Sequence, residues 1–154
     1  RSPLSKTFDI PGTSVSCFEK YPAVDKYLKE TIKNAYTDGY VSTIFGRRRY
    51  IPELSSGKAM LRKFGERVAM NSPIQGTSAD IIKIAMINVE KSLEKSGIDA
   101  RLIMQVHDEL IVESNKNCAE EAKEILKYEM ENAANLSLPL SVETGIGENW
   151  FFAH

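Results

Sequence analysis

The sequence is poor in the residues that metal sites and covalent catalysis usually need. Its 154 residues include only two cysteines, Cys17 and Cys118, and two histidines, His107 and His154. None of these lies at the spacing of a zinc ligand set, so we expect no zinc site. No G-x-S-x-G nucleophile motif occurs. The two distant cysteines are interpreted as reduced thiols of a cytoplasmic protein.

Long apolar runs are also missing. No stretch approaches the ~18 apolar residues of a membrane span, and the first residues lack an apolar segment with a cleavage site. We therefore expect no membrane span and no signal peptide. The segment "GIGENW", residues 145–150, contains G-x-G, but Trp150 stands where a dinucleotide-binding loop would have its third glycine.

Positive and negative charges nearly cancel over the whole chain, but they are unevenly distributed along it. The net charge is −1, but residues 47–67 carry seven Lys or Arg against two Glu, whereas residues 118–132 carry five Glu against two Lys. A basic region of this kind can bind phosphates even when the whole chain is near neutral. The alternative is a solvated basic face.

The hydrophobic pattern predicts an α+β fold in which antiparallel hairpins pack with helices. Residues 1–16 are expected to be loop, and Gly46 is expected in the turn of a hairpin at 40–51. A second hairpin is predicted at 101–114, and a short strand near 138–150. Apolar residues at 3- and 4-residue spacing predict helices over 22–37, 59–70, 77–95 and 117–135.

The second hairpin has an unusual centre. In "RLIMQVHDELIVES" two strand-like runs flank His107 and Asp108, with Glu109 following. A carboxylate on a hairpin tip can bind a metal, and Mg²⁺ takes few protein oxygens beside water or phosphate. Adjacent carboxylates on extended backbone point in opposite directions, so a second ligand would come from elsewhere in the fold. The alternative is a solvated polar turn, and the pattern alone leaves both open.

Several ordered motifs together resemble the family A DNA polymerases of the bacterial DNA polymerase I type. "QVHDELIVE" resembles motif C of that family, and "ERVAMNSPIQGTSADIIKIAM" resembles the helix before it. "GYVSTIFGRRRYIPEL" resembles the preceding hairpin, and "GIGENWFFAH" the terminal residues. The resemblance runs from about Phe18 to His154. It implies a carboxyl-terminal part of a polymerase domain: a poorly matched segment 1–17, the end of the fingers at 18–70, and a palm portion at 71–154.

The resemblance also implies roles for single residues. Asp108 would be one of two metal-binding catalytic aspartates, Glu109 an accessory carboxylate at the metal, and His107 a neighbour of the primer's terminal phosphate. Four residues would contact the minor-groove side of the primer–template end: Arg67, Asn71, Gln75 and Gln105. Basic side chains are candidate phosphate contacts: Arg47, Arg48, Arg49, Lys58, Arg62 and Lys63. The implied cofactor is Mg²⁺, with two ions in the intact enzyme.

The departures from the family pattern are as informative as the matches. No segment resembles the D-Y-S-x-I-E motif of the first catalytic aspartate, and the fingers helix that binds the incoming nucleotide is missing. The implied function is Mg²⁺-assisted nucleotidyl transfer on primer–template DNA in a bacterial, nucleoid-associated enzyme, with this chain alone inactive. Two alternatives are a non-catalytic nucleic-acid-binding module and a structural fragment that self-associates or needs the remaining polymerase domain.

Overall fold

The computed structural model describes residues 20–153. It contains helices and two small antiparallel sheets, which confirms the predicted α+β class. The described residues form two compact units, the first ending at Ile74 and the second beginning at Gln75. The division into segments 1–17, 18–70 and 71–154 stays a prediction, and the predicted loop at 1–16 lies outside the described residues.

The first unit is built on a helix followed by a hairpin. Helix α1 spans Pro22–Asp38, with Pro22 in its first turn, and it ends at Gly39, whose φ of 76° lets its amide donate to Ala35 O. Strands β1 (Tyr40–Ser42) and β2 (Arg48–Tyr50) pair antiparallel. A 3-10 helix, Pro52–Ser55, follows. The core of this unit contains side chains from α1, from β1, from the 3-10 helix and the residue before it, and from the next helix, but none from the exposed strand β2: Ala35, Val41, Ile51, Leu54 and Ala69.

The two helices predicted at 59–70 and 77–95 are one helix, so that prediction was wrong. Helix α2 spans Ala59–Ser96 and contains Pro73 in its interior. Pro73 removes one backbone donor and Gly76 has poor helix propensity, which is why the sequence indicates a break. Packing overrides this local signal, because Ala69 and Pro73 are buried on one side of the break and Ala85 on the other.

The second unit packs the later turns of α2 against a hairpin and a helix. Strands β3 (Ala100–Val106) and β4 (Glu109–Ser114) pair antiparallel, with an irregularity between Leu102 and Met104. A 3-10 helix, Lys116–Cys118, leads into helix α3, Ala119–Glu131. The centre of the core contains three residues from one side of α2, namely Ala85, Val89 and Leu93. Leu110 of β4 and Ala122 of α3 pack with them.

The short strand predicted near 138–150 is not formed, so this prediction was also wrong. Residues 138–147 have no regular secondary structure, and helix α4 spans Trp150–Ala153. The amide of Val142 donates to Glu131 Oε1 at 3.2 Å, so a side chain replaces the ladder partner that a strand would need. The alternation of apolar residues predicted a strand, but this pattern does not show whether a second strand is there to pair with it.

The glycines of "GIGENW" have a packing role. A Cβ at Gly145 would lie 2.1 Å from Ala153 O, and a Cβ at Gly147 would lie 2.6 Å from Ala153 N. Only glycine lets the backbone of this segment approach helix α4 so closely. The G-x-G pattern is therefore explained by a chain reversal within the second unit. Across residues 20–153, no helix is both long and apolar enough to cross a membrane.

The core of the second unit gives the first prediction. Leu93 is 2% exposed, so Leu93→Ala leaves a cavity and should lower the free energy of unfolding by about 2–5 kcal/mol. Leu138 is 75% exposed, and Leu138→Ala is the matched control, with an expected loss below about 0.5 kcal/mol. Urea unfolding followed by circular dichroism measures both. Equal losses for the two variants would contradict the assigned core.

Candidate functional site

The candidate site lies on the turn between β3 and β4. Val106 pairs with Glu109, so the connection is a two-residue loop made of His107 and Asp108. His107 has a φ of 52°, and it is the one non-glycine residue of the described chain with positive φ. Two-residue hairpin loops need positive φ at their first central position, where glycine is usual. A histidine there keeps the loop tight at the cost of some backbone strain.

The strands below this loop are anchored on both faces. Leu102 and Val112 pair across the hairpin and pack on the core of the second unit, as does Leu110. On the opposite face Arg101 pairs with Glu113, and Arg101 Nε donates to Glu113 Oε2 at 2.8 Å. This hydrogen bond raises the pKa of Arg101 above its ordinary value. The tip therefore stands on packed and cross-linked strands.

The polar side chains at the tip differ in exposure. His107 and Asp108 are exposed, whereas Glu109, the first residue of β4, is half-buried. Gln105 Nε2 donates a hydrogen bond to the carbonyl oxygen of His107, which ties the strand to the loop. The structure thus brings Gln105, His107, Asp108 and Glu109 together in the second unit. An exposed carboxylate on a tied loop can reach a ligand outside the chain.

The carboxylate oxygens at this tip are suitable Mg²⁺ ligands, but they form only part of a site. Carboxylate oxygens are the hard ligands that Mg²⁺ takes, and this ion needs only one or two of them beside water or phosphate. Asp108 and Glu109 can supply such oxygens. Within residues 20–153, however, no group of three or more His, Cys, Asp or Glu side chains is placed to enclose a metal. Asp108 and Glu109 can therefore supply part of a Mg²⁺ ligand set.

All six predicted phosphate contacts lie in the first unit. Arg47, Arg48 and Arg49 lie on or beside β2, and all three are exposed. Lys58 and Lys63 are exposed near the start of α2. Arg62 differs, because its Nη1 donates to Ser56 O at 2.8 Å, at the end of the 3-10 helix. Arg62 therefore has a structural partner, in addition to any role in binding phosphate.

The predicted minor-groove contacts are polar and exposed. Arg67 and Asn71 lie four residues apart on α2 within the first unit, a spacing that places both on one helix face. Gln75 is the first residue of the second unit, and Gln105 lies on β3. The structure places all four at the surface. Their contact with DNA stays a prediction.

Sequence analysis missed an aromatic pair in the first hairpin. Tyr40 and Tyr50 are directly opposed across β1 and β2, with ring centroids 5.7 Å apart. The Arg48 guanidinium carbon lies 4.6 Å from the Tyr40 ring centre. The signal was available in the sequence, because the hairpin predicted at 40–51 has a tyrosine near each of its ends.

The strained loop residue gives the second prediction. Positive φ costs a non-glycine residue about 1–2 kcal/mol, and a β-branched residue tolerates it least. His107 already bears part of this cost, so His107→Val should lower the free energy of unfolding by roughly a further 1 kcal/mol. His107→Gly should leave it unchanged or raise it by up to about 1 kcal/mol, since relief of strain is partly offset by chain entropy. Urea unfolding compares the two, with His107→Asn as a left-handed-tolerant control. A valine variant as stable as the glycine variant would contradict the loop geometry.

Comparison with known proteins gives a consistent family assignment. The profile of DNA polymerase family A matches residues 13–151. DNA polymerase I of Pseudomonas aeruginosa is 47% identical over 137 residues, which is 89% of this chain and 15% of that protein. DNA polymerase I of Deinococcus radiodurans is 46% identical over 153 residues, 96% of this chain and 16% of that protein.

A solved structure agrees with these relatives. The POL domain of Pol1 from M. smegmatis, in complex with DNA primer-template and dNTP, superposes with a TM-score of 0.86 at 43% identity. The match covers 88% of this chain and 24% of that one. The chain spans about 15–16% of the length of the two polymerases above. With a profile match over most of its residues and a similar fold, this chain belongs to DNA polymerase family A.

Proposed function

We propose that this chain provides the motif C part of the palm, with part of the fingers, of a DNA-directed DNA polymerase. The reaction is template-dependent transfer of a nucleotide from a dNTP to a primer 3′-hydroxyl. The observation that carries the proposal is the exposed Asp108 on a two-residue tip, tied by Gln105, in a chain of family A. The Pol1 structure with primer-template and dNTP supports DNA and dNTP as partners.

Asp108 is the proposed metal-binding aspartate, with Glu109 as an accessory carboxylate. When bound, Mg²⁺ would lower the pKa of the primer hydroxyl and neutralise the charge that develops on the triphosphate. The chain's own contribution is to hold these carboxylates at the surface on a hairpin anchored by Leu102, Leu110 and Val112. His107 would lie beside the primer's terminal phosphate, where its ring can donate a hydrogen bond.

The remaining polar residues would position the DNA. Both A·T and G·C pairs present acceptors in the minor groove, so amide and guanidinium donors there can sense pair geometry without reading sequence. Arg67, Asn71, Gln75 and Gln105 supply such donors. Basic side chains of the first unit would contact phosphates and set the register of the duplex: Arg47, Arg48, Arg49, Lys58, Arg62 and Lys63.

The ligand set available in this chain is incomplete for catalysis. A site with two Mg²⁺ ions needs carboxylates placed to bridge both, and the 154 residues contain no D-Y-S-x-I-E motif that would supply the second aspartate. We propose that the remaining polymerase domain supplies it. That domain would also cover apolar side chains of the second unit that are otherwise exposed, such as Met104 and Phe151. Without it the chain would be inactive and prone to self-association.

A chimeric polymerase tests this function. In the P. aeruginosa DNA polymerase I, this chain would replace the matched segment, which is 47% identical. The chimera should extend a primer with dNTPs and Mg²⁺, and Asp108→Asn should lower the rate by at least about 100-fold, because it removes a charged metal ligand. Glu121→Gln, at an exposed carboxylate on α3 away from the hairpin, is the matched control and should retain activity.

The same assay has two outcomes that would contradict the proposal. The 154-residue chain alone should incorporate no nucleotide, so robust extension by it would show that the second aspartate is not required. An Asp108→Asn chimera that extends primers as fast as the unsubstituted chimera would remove Asp108 from catalysis. Circular dichroism of each variant separates loss of chemistry from loss of fold.

A second function is favoured by the exposed arginines of the first unit. The chain alone can be a non-catalytic nucleic-acid-binding module, because phosphate binding needs positive charge but no metal. In that case duplex binding should weaken with salt, persist in EDTA and be unchanged by Asp108→Ala. Fluorescence anisotropy with a labelled duplex measures all three. Binding that requires Mg²⁺ and is lost with Asp108→Ala would contradict this second function.

A further inference from the structure

A cleft in the first unit lies between helix α1 and strand β1. Its volume is about 240 Å³, which is smaller than the ~300–1,000 Å³ pockets of drug-sized ligands. Strand β1 contributes Tyr40 to the lining. Four lining residues come from one side of α1, at the 3- and 4-residue spacing of a helix face: Tyr27, Thr31, Asn34 and Asp38. The size and shape of this cleft suit a small molecule.

The lining of this cleft carries a single formal charge, and that charge is negative. Asp38 supplies it, and within residues 20–153 Asp38 is in no ion pair and the Asn34 side chain is in no hydrogen bond. Asp38 also lies in the last turn of α1, which contains no Lys or Arg. The carbonyl groups at a helix carboxyl end carry partial negative charge. The carboxylate and the helix dipole therefore both attract a cation to this cleft.

The basic side chains of the neighbouring elements do not line the cleft. Three lysines of α1 lie on other sides of the helix, as its 3.6 residues per turn require: Lys26, Lys29 and Lys33. From the hairpin, the Arg48 guanidinium carbon lies 4.6 Å from the Tyr40 ring centre, so this ring already contacts a cation. Tyr27 is 47% exposed. Its ring can therefore receive a cation from a ligand.

We propose that this cleft binds a small primary amine in its ammonium form. The ammonium group donates hydrogen bonds to the Asp38 carboxylate and to the Asn34 amide oxygen, and the face of the Tyr27 ring attracts its charge. The rest of the cleft has room for a short methylene chain. A phosphate would be repelled by Asp38. A Mg²⁺ ion would keep most of its waters, so it would gain little from the Tyr27 ring.

Titration of the whole chain with n-butylamine at neutral pH, followed by two-dimensional amide NMR, tests this site. The Asn34 side-chain amide and the Gly39 backbone amide should shift saturably, with a Kd in the millimolar range of so small a ligand. Asp38→Asn should weaken binding about 5- to 30-fold, because it removes a charged hydrogen-bond partner. Tyr27→Leu should weaken it about 2- to 5-fold, the effect of an exposed cation–π contact. Arg48→Ala should leave binding unchanged or tighten it.

Asp25→Asn is the matched control, because Asp25 lies on the same helix outside the cleft and its carboxylate is 2.6 Å from Lys29 Nζ. It should not change the affinity, and n-butanol, which has the same chain length without a charge, should not bind. Asp38→Asn should stay folded, since it removes a negative charge from a helix carboxyl end, and circular dichroism checks this.

Three results would overturn the amine site. The first is an equal loss of affinity in Asp25→Asn and Asp38→Asn, which would indicate a diffuse negative potential. The second is loss of binding in Arg48→Ala, which would indicate an anionic ligand. The third is that n-butanol or Mg²⁺ shifts the same amides as strongly as the amine does. None of these measurements depends on polymerase activity, so the amine site and the proposed catalytic function can fail separately.

Discussion

The packing of the β3–β4 hairpin against one side of α2 is the contact on which the candidate site depends. Leu102, Leu110 and Val112 belong to the same hydrophobic cluster as Val89 and Leu93 of α2. Two antiparallel strands alone are marginally stable in water, so the hairpin needs this support. The support also decides register, because a shift by one residue would turn the apolar side chains outward.

That register in turn determines what the tip can do. With Val106 opposite Glu109, only two residues remain for the loop, and His107 must adopt positive φ. A tighter loop moves less, so the Asp108 carboxylate is presented from a defined position. The bond from Gln105 to the His107 carbonyl strengthens the same effect. Strain at His107 is thus balanced by packing several residues away, which is the usual arrangement at functional loops.

Sequence reasoning predicted the elements that depend on local signals. Both hairpins, the end of α1 at Gly39 and the turn at Gly46 follow from residues whose backbone preference agrees with their surroundings. It did not predict the continuity of α2 through Pro73, because the burial that overrides the proline comes from residues distant in sequence. Sequence reasoning also predicted a strand near 138–150 that is not formed, because the alternation of apolar and polar residues cannot show whether a neighbouring strand exists.

For the site, the sequence motifs predicted the acidic tip and the missing motif of the first catalytic aspartate, but not the positive φ of His107 or the hydrogen bond from Gln105 that ties the loop. Mg²⁺ coordination requires oxygens at short, near-octahedral positions, so the proposed two-ion site would need its second aspartate in order to form. Phosphate binding is different, since each basic side chain contributes largely on its own. The proposed nucleic-acid binding of the first unit therefore needs no group from another domain, whereas the proposed catalytic role of the acidic tip of the second unit does.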